Sequence, residues 1–305
     1  MQQLLNYLEA SAPNQFKKIK TVAEDLGERY ENDVVDFLAK YTPYWKSIGL
    51  QLEEILEAYL SLCNQYMYYQ IRFFKSGQYP IEKDREATLS KIDQMYSQGN
   101  DMKSYMAGLS LSLVLWKSHY LLHGFFLDAL KKYQPYINQY LEVGTGHGFY
   151  FENAYELLQS HSKMSFLEIS PLSIEMTRSV MKYFHHNAVL NFENTNFLEY
   201  EHNKEKVDFI TLGEVIEHVE DPGLFFKKTY DLLAPGGKVF ITTCVNCPMI
   251  DHLFRFSSVE EIRQLINQKG FVITDELIVP SENLPWEEIV ENRITINYGA
   301  ILSKN

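Results

Sequence analysis

From Pro135 onward, short apolar runs alternate with stretches of helical period, and this alternation constrains the fold more than any other feature. The runs are QYLEV, MSFLEI, VLNFE, VDFITL, KVFITTC, FVITDELIV and ITINYGAILS. Between them the pattern predicts helices over Phe149–Ser160, Leu172–His186, Pro222–Leu233 and Ser258–Lys269. Strands separated by helices of this length build an α/β unit, with a mostly parallel sheet covered on both faces. The last two runs are joined by Ser281–Glu291 with no helix, so they are expected to pair antiparallel at one edge.

Residues 1 to about 135 carry a different period. Leu52, Ile55, Leu56, Tyr59, Leu60 and Cys63 fall on one helical stripe. Breaks are expected at Ser11–Asn14 around Pro13, at Thr42-Pro43, at Gly77–Pro80, and at Gly99, where Asn100-Asp101 opens a new helix. This gives roughly five helices, the last from about Met102 to Tyr133. The chain thus divides into a helical part, 1–134, and a sheet part, 135–305. Of the 21 tyrosines, 14 precede residue 137. Tyrosine joins apolar area to a hydroxyl, which suits helix packing, pocket walls and interfaces alike. The helical part is read as a cover for a substrate or as a homodimer surface. Trp45, Trp116, His119 and His123 are candidates for the pocket wall.

The formal charge of −12, from 28 basic and 40 acidic residues, opposes a polyanionic partner such as nucleic acid. Three cysteines, Cys63, Cys244 and Cys247, make no disulfide framework and fit a reducing compartment. The first twenty residues lack the basic and apolar regions of an export signal. The most apolar stretch, Leu109–Trp116, is too short to span a membrane, which takes about 20 residues. A cytoplasmic protein is expected.

The strongest local signal is Leu141-Glu142-Val143-Gly144-Thr145-Gly146-His147-Gly148-Phe149, which follows a strand and opens a helix. Glycines permit a sharp turn and close approach of a ligand to the main chain, and the helix offers free N–H groups there. A dinucleotide site wants G-x-G-x-x-G, but here the spacing is G-x-G-x-G with Phe149 in the last place. Glu168 ends the second strand, where a carboxylate can accept both ribose hydroxyls of a nucleoside. Asn196-Phe197 follows the third. The fourth runs into Gly213-Glu214-Val215-Ile216-Glu217-His218-Val219-Glu220-Asp221-Pro222, with LLAPGGKVFITT beyond.

These motifs together resemble class I S-adenosylmethionine-dependent methyltransferases. The similarity is to the branch containing the ubiquinone-pathway O-methyltransferases and the small-RNA 3′-end 2′-O-methyltransferases, over about residues 139–275. The resemblance implies a Rossmann-like sheet with an antiparallel last strand beside the helical N-terminal part. It implies a cofactor site built from Glu142, Gly144, Thr145, Gly146, Gly148, Glu168, Ile169, Asn196, Phe197, Gly213 and Glu214. The ribose would meet Glu168, the adenine would lie near Asn196 and Phe197, and the sulfonium would face Gly213 and Glu214. A methyltransferase acting on a small-molecule acceptor is expected, with oxygen favoured over nitrogen or carbon. The alternatives are a metal-dependent RNA 2′-O-methyltransferase and a non-catalytic nucleoside-binding protein.

If residues 214–218 are helical, Glu214, Glu217 and His218 share a face. His252 follows the fifth strand. In the small-RNA enzymes such a quartet holds a metal, so Glu214, Glu217, His218 and His252 are candidate ligands for magnesium or another divalent cation. Without metal, His218 or His252 is a candidate general base, with Glu214 beside it. A structural role, with Asp-Pro starting a helix, is the third reading. His147 reads as a loop residue near the cofactor, and His185-His186 as a cationic helix end. Cys244-x-x-Cys247 has no second cysteine pair, so burial in a strand is expected for it rather than zinc or redox chemistry.

Overall fold

The computed structural model describes residues 2–97, 99–158, 162–201 and 205–305, with the side chains of 2, 93, 95–97 and 99–101 left aside. Eight helices come first among them: α1 (Gln2–Ser11), α2 (Pro13–Leu26), α3 (Glu28–Ser47), α4 (Leu52–Ser76), α5 (Pro80–Lys83), α6 (Arg85–Ser97), α7 (Gly99–Leu115) and α8 (Lys117–Tyr133). The sheet part follows as β1 (Gln139–Val143), α9 (Phe149–Leu158), β2 (Lys163–Glu168), α10 (Pro171–Phe184), β3 (Asn191–Asn194), β4 (Val207–Leu212) and α11 (Pro222–Leu232). It continues with β5 (Leu233–Val245), α12 (Val259–Gln268), β6 (Phe271–Pro280), α13 (Trp286–Glu291) and β7 (Ile296–Lys304). No described helix is long and apolar enough to cross a membrane.

The seven strands form one sheet in the order β3-β2-β1-β4-β5-β7-β6. The contacts β3–β2, β2–β1, β1–β4 and β4–β5 are parallel, and β7 runs antiparallel to both β5 and β6. The expected Rossmann-like α/β sheet with an antiparallel last strand is present. β6 and β7 pair antiparallel as expected, but β7 slots between β5 and β6 and leaves β6 at the edge. The connection between them contains α13, a short helix the sequence pattern did not predict. Chain order reverses between β1 and β4, and their connections leave in opposite directions. That splay opens a crevice at the carboxyl ends of the two strands.

The helical part contains more breaks than its sequence pattern suggests. α3 runs through Thr42-Pro43, where a break was expected. A proline inside a helix costs about 3 kcal/mol, and here Tyr41, Tyr44 and Trp45 are buried around it and offset that cost. The chain breaks instead at Gly27, whose φ of 73° closes α2. The helix expected over Met102–Tyr133 is interrupted at Trp116, which is extended at φ −99°, ψ 121°. The cap expected at Asn100-Asp101 rests on side chains outside those described, and the expected helix end at Ser160 also lies outside the described residues.

The helical part and the sheet part share one core. Tyr30, Phe37, Tyr41, Trp45, Ile55 and Leu111 pack into a cluster that also takes in Phe149 of α9 and Val180 of α10. Tyr41 stacks on Phe149 with ring centroids 3.9 Å apart and planes 12° apart. Beside this stack Glu152 is fully buried. It accepts hydrogen bonds from the Tyr41 hydroxyl at 2.7 Å, Lys40 Nζ at 3.0 Å, Asn153 Nδ2 at 2.7 Å and His185 Nε2 at 3.0 Å. A carboxylate so enclosed is tolerated because both of its oxygens accept hydrogen bonds.

Glu152→Ala strips the Tyr41 hydroxyl, Lys40, Asn153 and His185 of their shared acceptor, and we expect it to cost about 1–3 kcal/mol in urea unfolding. Glu156→Ala removes the exposed half of the same Lys40 pairing and should cost about 1 kcal/mol or less. Equal losses for the two would refute the assignment of Glu152 as the junction between the two parts.

Candidate functional site

The crevice begins with the turn from Gly144 to Gly148. Gly144, Gly146 and Gly148 have φ values of 73°, 52° and 82°, a region that side chains with a Cβ avoid. The Gly144 N–H donates to Leu167 O at 2.8 Å, tying the turn to β2, and the Gly148 N–H donates to Thr145 O at 2.8 Å. A Cβ on Gly144 would lie 2.8 Å from Val215 Cγ2, and one on Gly148 2.8 Å from Thr177 Cα. A Cβ on Gly146 would meet nothing within 4 Å, so this residue faces open space. Close packing and a left-handed backbone thus explain two of the glycines, and the left-handed backbone alone the third, which leaves open space beside it. The first N–H groups of α9 lie just beyond.

Glu168 stands at the end of β2, 7% exposed. Its Oε2 accepts the Gly146 N–H at 3.2 Å and its Oε1 the Ser170 N–H at 2.9 Å. Burial raises its carboxyl above the usual range, and the neighbouring backbone amides oppose the shift. Glu142 is buried within β1, where the Tyr140 hydroxyl donates to its Oε2 at 2.8 Å. Burial pushes its carboxyl up to about 8, with the Tyr140 hydrogen bond opposing and the charge of Glu168 adding. Thr145 is buried and accepts from the Thr177 hydroxyl at 2.8 Å, and Ile169 is 70% exposed at the rim.

Asn196 is exposed, and its Oδ1 accepts the Leu198 N–H at 2.9 Å, closing the turn after β3. Phe197 is buried with its ring 5.2 Å from that of Phe225. His147 accepts the Phe149 N–H on Nδ1 at 3.1 Å, so it caps the start of α9, and burial lowers it to about 3.

At the end of β4 the structure departs from expectation. Residues 213–220 form turns and bends, not a helix. Gly213 is followed by Glu214 at φ 51°, whose N–H donates to Thr242 Oγ1 at 2.8 Å. This left-handed residue redirects the chain, so Glu214, Glu217 and His218 do not share a helical face. Helix α11 starts only after Asp221, whose Oδ1 accepts the Leu224 N–H at 3.2 Å.

The turns nevertheless bring several polar groups together. Donor atoms of Glu217, His218 and His252 lie within 4.8 Å of one another, and Glu214 is outside that group. Glu217 is buried, with Oε2 accepting from the Thr243 hydroxyl at 2.9 Å and Oε1 without a hydrogen-bond partner. Burial raises its carboxyl well above the usual range, and the nearby Glu214 adds to the shift. His218 donates from Nδ1 to Asp251 O at 3.0 Å, and its ring meets that of His252 edge-on at 4.8 Å. Burial lowers the His218 imidazole, with Asp251 opposing. His252 contacts Cys247 O through Nδ1 at 2.7 Å.

Two residues that the sequence reading set aside enter here. Cys244, Cys247 and His252 offer donor atoms within 4.8 Å of one another, all three residues buried. A hydrogen bond from Cys244 lowers Cys247 to about 6, against burial. The paired Cys247 raises His252 to about 10, although burial opposes this. The spacing Cys-x-x-Cys followed by His252 was the available signal. His119 of α8 faces the same cavity, its Nδ1 2.8 Å from Ser112 Oγ, and burial lowers it while Glu214 opposes.

The glycine turn, Glu168, Asn196, Glu214 and His218 all line one cavity of about 2180 Å³, which extends to Leu62, Met67 and Leu109 of the helical part. Pockets for one small ligand hold about 300–1,000 Å³.

Gly148→Ala should destabilise the chain by about 1–3 kcal/mol through backbone strain and the Thr177 clash. Gly146→Ala should cost only about 1–2 kcal/mol while abolishing any ligand-induced rise in Tm. Thermal melts with and without S-adenosylhomocysteine distinguish the two, and identical behaviour would refute the open-face assignment. Glu142 makes stability depend on pH. Between the ordinary value of 4.5 and about 8, the folded chain holds a proton that the unfolded chain has released. Stability is therefore full below the lower value and falls as pH rises through this window, by up to about 1.4 kcal/mol per unit. Glu142→Gln should flatten that part of a urea-stability curve, and an unaltered slope would place the proton elsewhere.

Residues 118–276 match a family model described as a methyltransferase domain. The ubiquinone biosynthesis O-methyltransferase of Coxiella burnetii (strain RSA 493 / Nine Mile phase I) is 27% identical over 148 residues, covering 48% of this chain and 60% of that protein. The protein of the same name from Aliivibrio fischeri (strain MJ11) is 34% identical over 84 residues, covering 28% of this chain and 35% of that one. The matches thus span at most about 60% of the length of these curated relatives. Among solved structures, the N-methyltransferase NodS from Bradyrhizobium japonicum WM9, in complex with S-adenosyl-l-homocysteine, aligns with a TM-score of 0.51. It is 13% identical and covers 71% of this chain and 98% of that one. A putative sarcosine dimethylglycine methyltransferase from Galdieria sulphuraria aligns at 0.50 with 17% identity, covering 62% and 87%. At these identities the structural likeness shows the fold alone. With its family model matched over more than half of its residues, the chain belongs to the methyltransferase domain family, whose cofactor is S-adenosylmethionine.

Proposed function

We propose that the chain transfers the methyl group of S-adenosylmethionine to a hydroxyl of a bulky, largely apolar small molecule. The observation that carries this reading is the single cavity of about 2180 Å³ that joins the glycine turn to the helical part. Its size exceeds what one nucleoside-sized ligand fills. Residues 1–134 serve in this reading as the wall of an acceptor chamber, with Leu62, Met67, Leu89 and Leu109 as apolar lining. The ubiquinone biosynthesis O-methyltransferases among the relatives support oxygen as the acceptor atom. The net charge of −12 favours a small molecule over RNA.

The residues present fit the cofactor: Gly146 leaves open space in the crevice, and Glu168, held by the Gly146 N–H, stands beside it. In this reading Glu168 holds the ribose hydroxyls. Gly144, Thr145, Gly146 and Gly148 carry the methionine end with Glu142 beneath, and Ile169, Asn196 and Phe197 border the adenine. Gly213 and Glu214 border the reacting centre. When bound, S-adenosylmethionine supplies an electrophilic methyl group on a sulfonium sulfur. His218 would take the proton of the acceptor hydroxyl as that oxygen receives the methyl group. The Asp251 carbonyl accepts from His218 Nδ1, so the neutral ring has its lone pair on Nε2. The enclosing helices exclude water from the reacting methyl.

Titration calorimetry with S-adenosylhomocysteine should show binding, and Glu168→Ala should weaken it by about 1.5–3 kcal/mol, the scale of hydrogen bonds to a charged group. Unchanged affinity would clear Glu168 of the ribose role. Leu109→Trp, which fills the helical end of the cavity, should leave S-adenosylhomocysteine affinity intact and raise KM for hydroxylated amphiphiles in a methyl-transfer assay. Tight, salt-sensitive RNA binding by gel shift would instead favour an RNA acceptor.

A further inference from the structure

We propose that Cys244, Cys247 and His252 bind a zinc-type transition-metal ion in the wall of the cavity, with Glu217 as the carboxylate partner of His252. The spacing C-x-x-C-x-x-x-x-H is brought together by backbone that is already organised. Cys244 lies in β5, paired with Asn297 of β7, and Asn246 follows at φ 53°. The loop beyond is closed at its neck, where the Asn246 N–H donates to Phe256 O at 3.1 Å and the Phe254 N–H donates to Glu217 O at 3.0 Å. Within it the Met249 N–H donates to Cys247 O at 3.0 Å and the His252 N–H to Met249 O at 3.3 Å. The three donor atoms converge within 4.8 Å, and Cys244 Sγ is 3.7 Å from His252 Nδ1. A tetrahedral zinc ion at its usual bond lengths separates sulfur and nitrogen ligands by roughly 3.5–3.8 Å.

A second observation points to a missing cation. Glu217 is 1% exposed, its Oε1 has no donor, and the carboxylate of Glu214 is among its near neighbours. Metal-binding imidazoles commonly donate their other ring N–H to a carboxylate, which fixes the tautomer. Donor atoms of Glu217 and His252 lie within 4.8 Å of each other, so Glu217 is placed to take that N–H once the ring turns onto the metal. On loading, the cysteines lose their protons and His252 Nδ1 exchanges its contact with the Cys247 carbonyl for the metal.

The donor chemistry selects the ion. A set of Glu214, Glu217, His218 and His252 suits a hard divalent cation such as magnesium, whereas two sulfurs and a nitrogen suit zinc. His252 belongs to both groups of donors and can serve one ion at a time. Cys247 and His252 line the cavity, so a fourth ligand for an ion held by them can come from it. Three protein ligands with an open position are the pattern of zinc sites that act on substrates.

The test does not rest on methyl transfer. The full-length protein, purified without chelator from zinc-supplemented culture, should carry about one zinc per chain by elemental mass spectrometry. After removal of the metal with dipicolinate, cobalt(II) should give a thiolate-to-cobalt charge-transfer band and intense tetrahedral d–d absorption. Cys247→Ser and His252→Ala should abolish both signals, and Cys63→Ser should keep them. Glu217→Gln should keep the band and weaken zinc affinity about 10–100-fold in a chelator competition. If Cys244→Ser fails to fold, Cys247→Ser in the loop remains decisive. The proposal is overturned by folded wild-type protein that takes up neither ion, by cobalt absorption that survives Cys247→Ser, or by binding of magnesium alone. It is equally overturned if mild oxidation joins Cys244 to Cys247 in a protein that takes up no metal.

Discussion

The turn between β1 and α9 governs both halves of the molecule. Its three left-handed glycines carry the chain across the top of the sheet within contact of Val215 and Thr177. The next residue, Phe149, is the ring on which Tyr41 of the helical part stacks. One turn of helix further, Glu152 gathers Lys40, Tyr41 and His185. The geometry that opens the crevice therefore also sets where the helices dock. A change in the turn is felt in the core of residues 1–134, and loosening of that core is felt at the crevice.

The crevice keeps an unusual amount of titratable chemistry out of water. Glu142, Glu168, Glu217, His147 and His252 are all buried along it. Burial favours their neutral forms, and local partners decide which depart from that. Glu168 is held by backbone amides of the turn it supports, Glu142 by a tyrosine of its own strand, and His147 by the first amide of α9. The cluster around His252 is different in kind, because its acidic groups face one another and one carboxylate oxygen lacks a donor. The polar groups of the first set have partners from the chain itself. Those of the second are arranged as if for a cation.

Much of the architecture was legible because burial imposes a period on the chain. β1, β4 and β5 are buried on both faces, so they read as continuous apolar runs. The glycine turn and Glu168 were legible because only a few residue types permit that backbone and that placement. The misreadings have physical causes as well. Pro43 was read as a break because local sterics argue for one, but burial of Tyr41, Tyr44 and Trp45 outweighs the proline. Glu214, Glu217 and His218 were placed on one helical face because their spacing allows it. A hydrogen bond to Thr242, far away in sequence, holds Glu214 in a left-handed conformation instead.

Local composition and period were enough to establish a mostly parallel α/β sheet, its helical partner, and a sharp glycine turn between the first strand and its helix. These properties depend on neighbours along the chain. Which groups share the cavity was decided by contacts between residues far apart in sequence. His119 of α8 arrives there because α8 packs against β7 and α9, and Cys247 meets His252 because the loop after β5 closes on Phe256. Such meetings follow from packing and chain reversal, which the local period of the chain does not record.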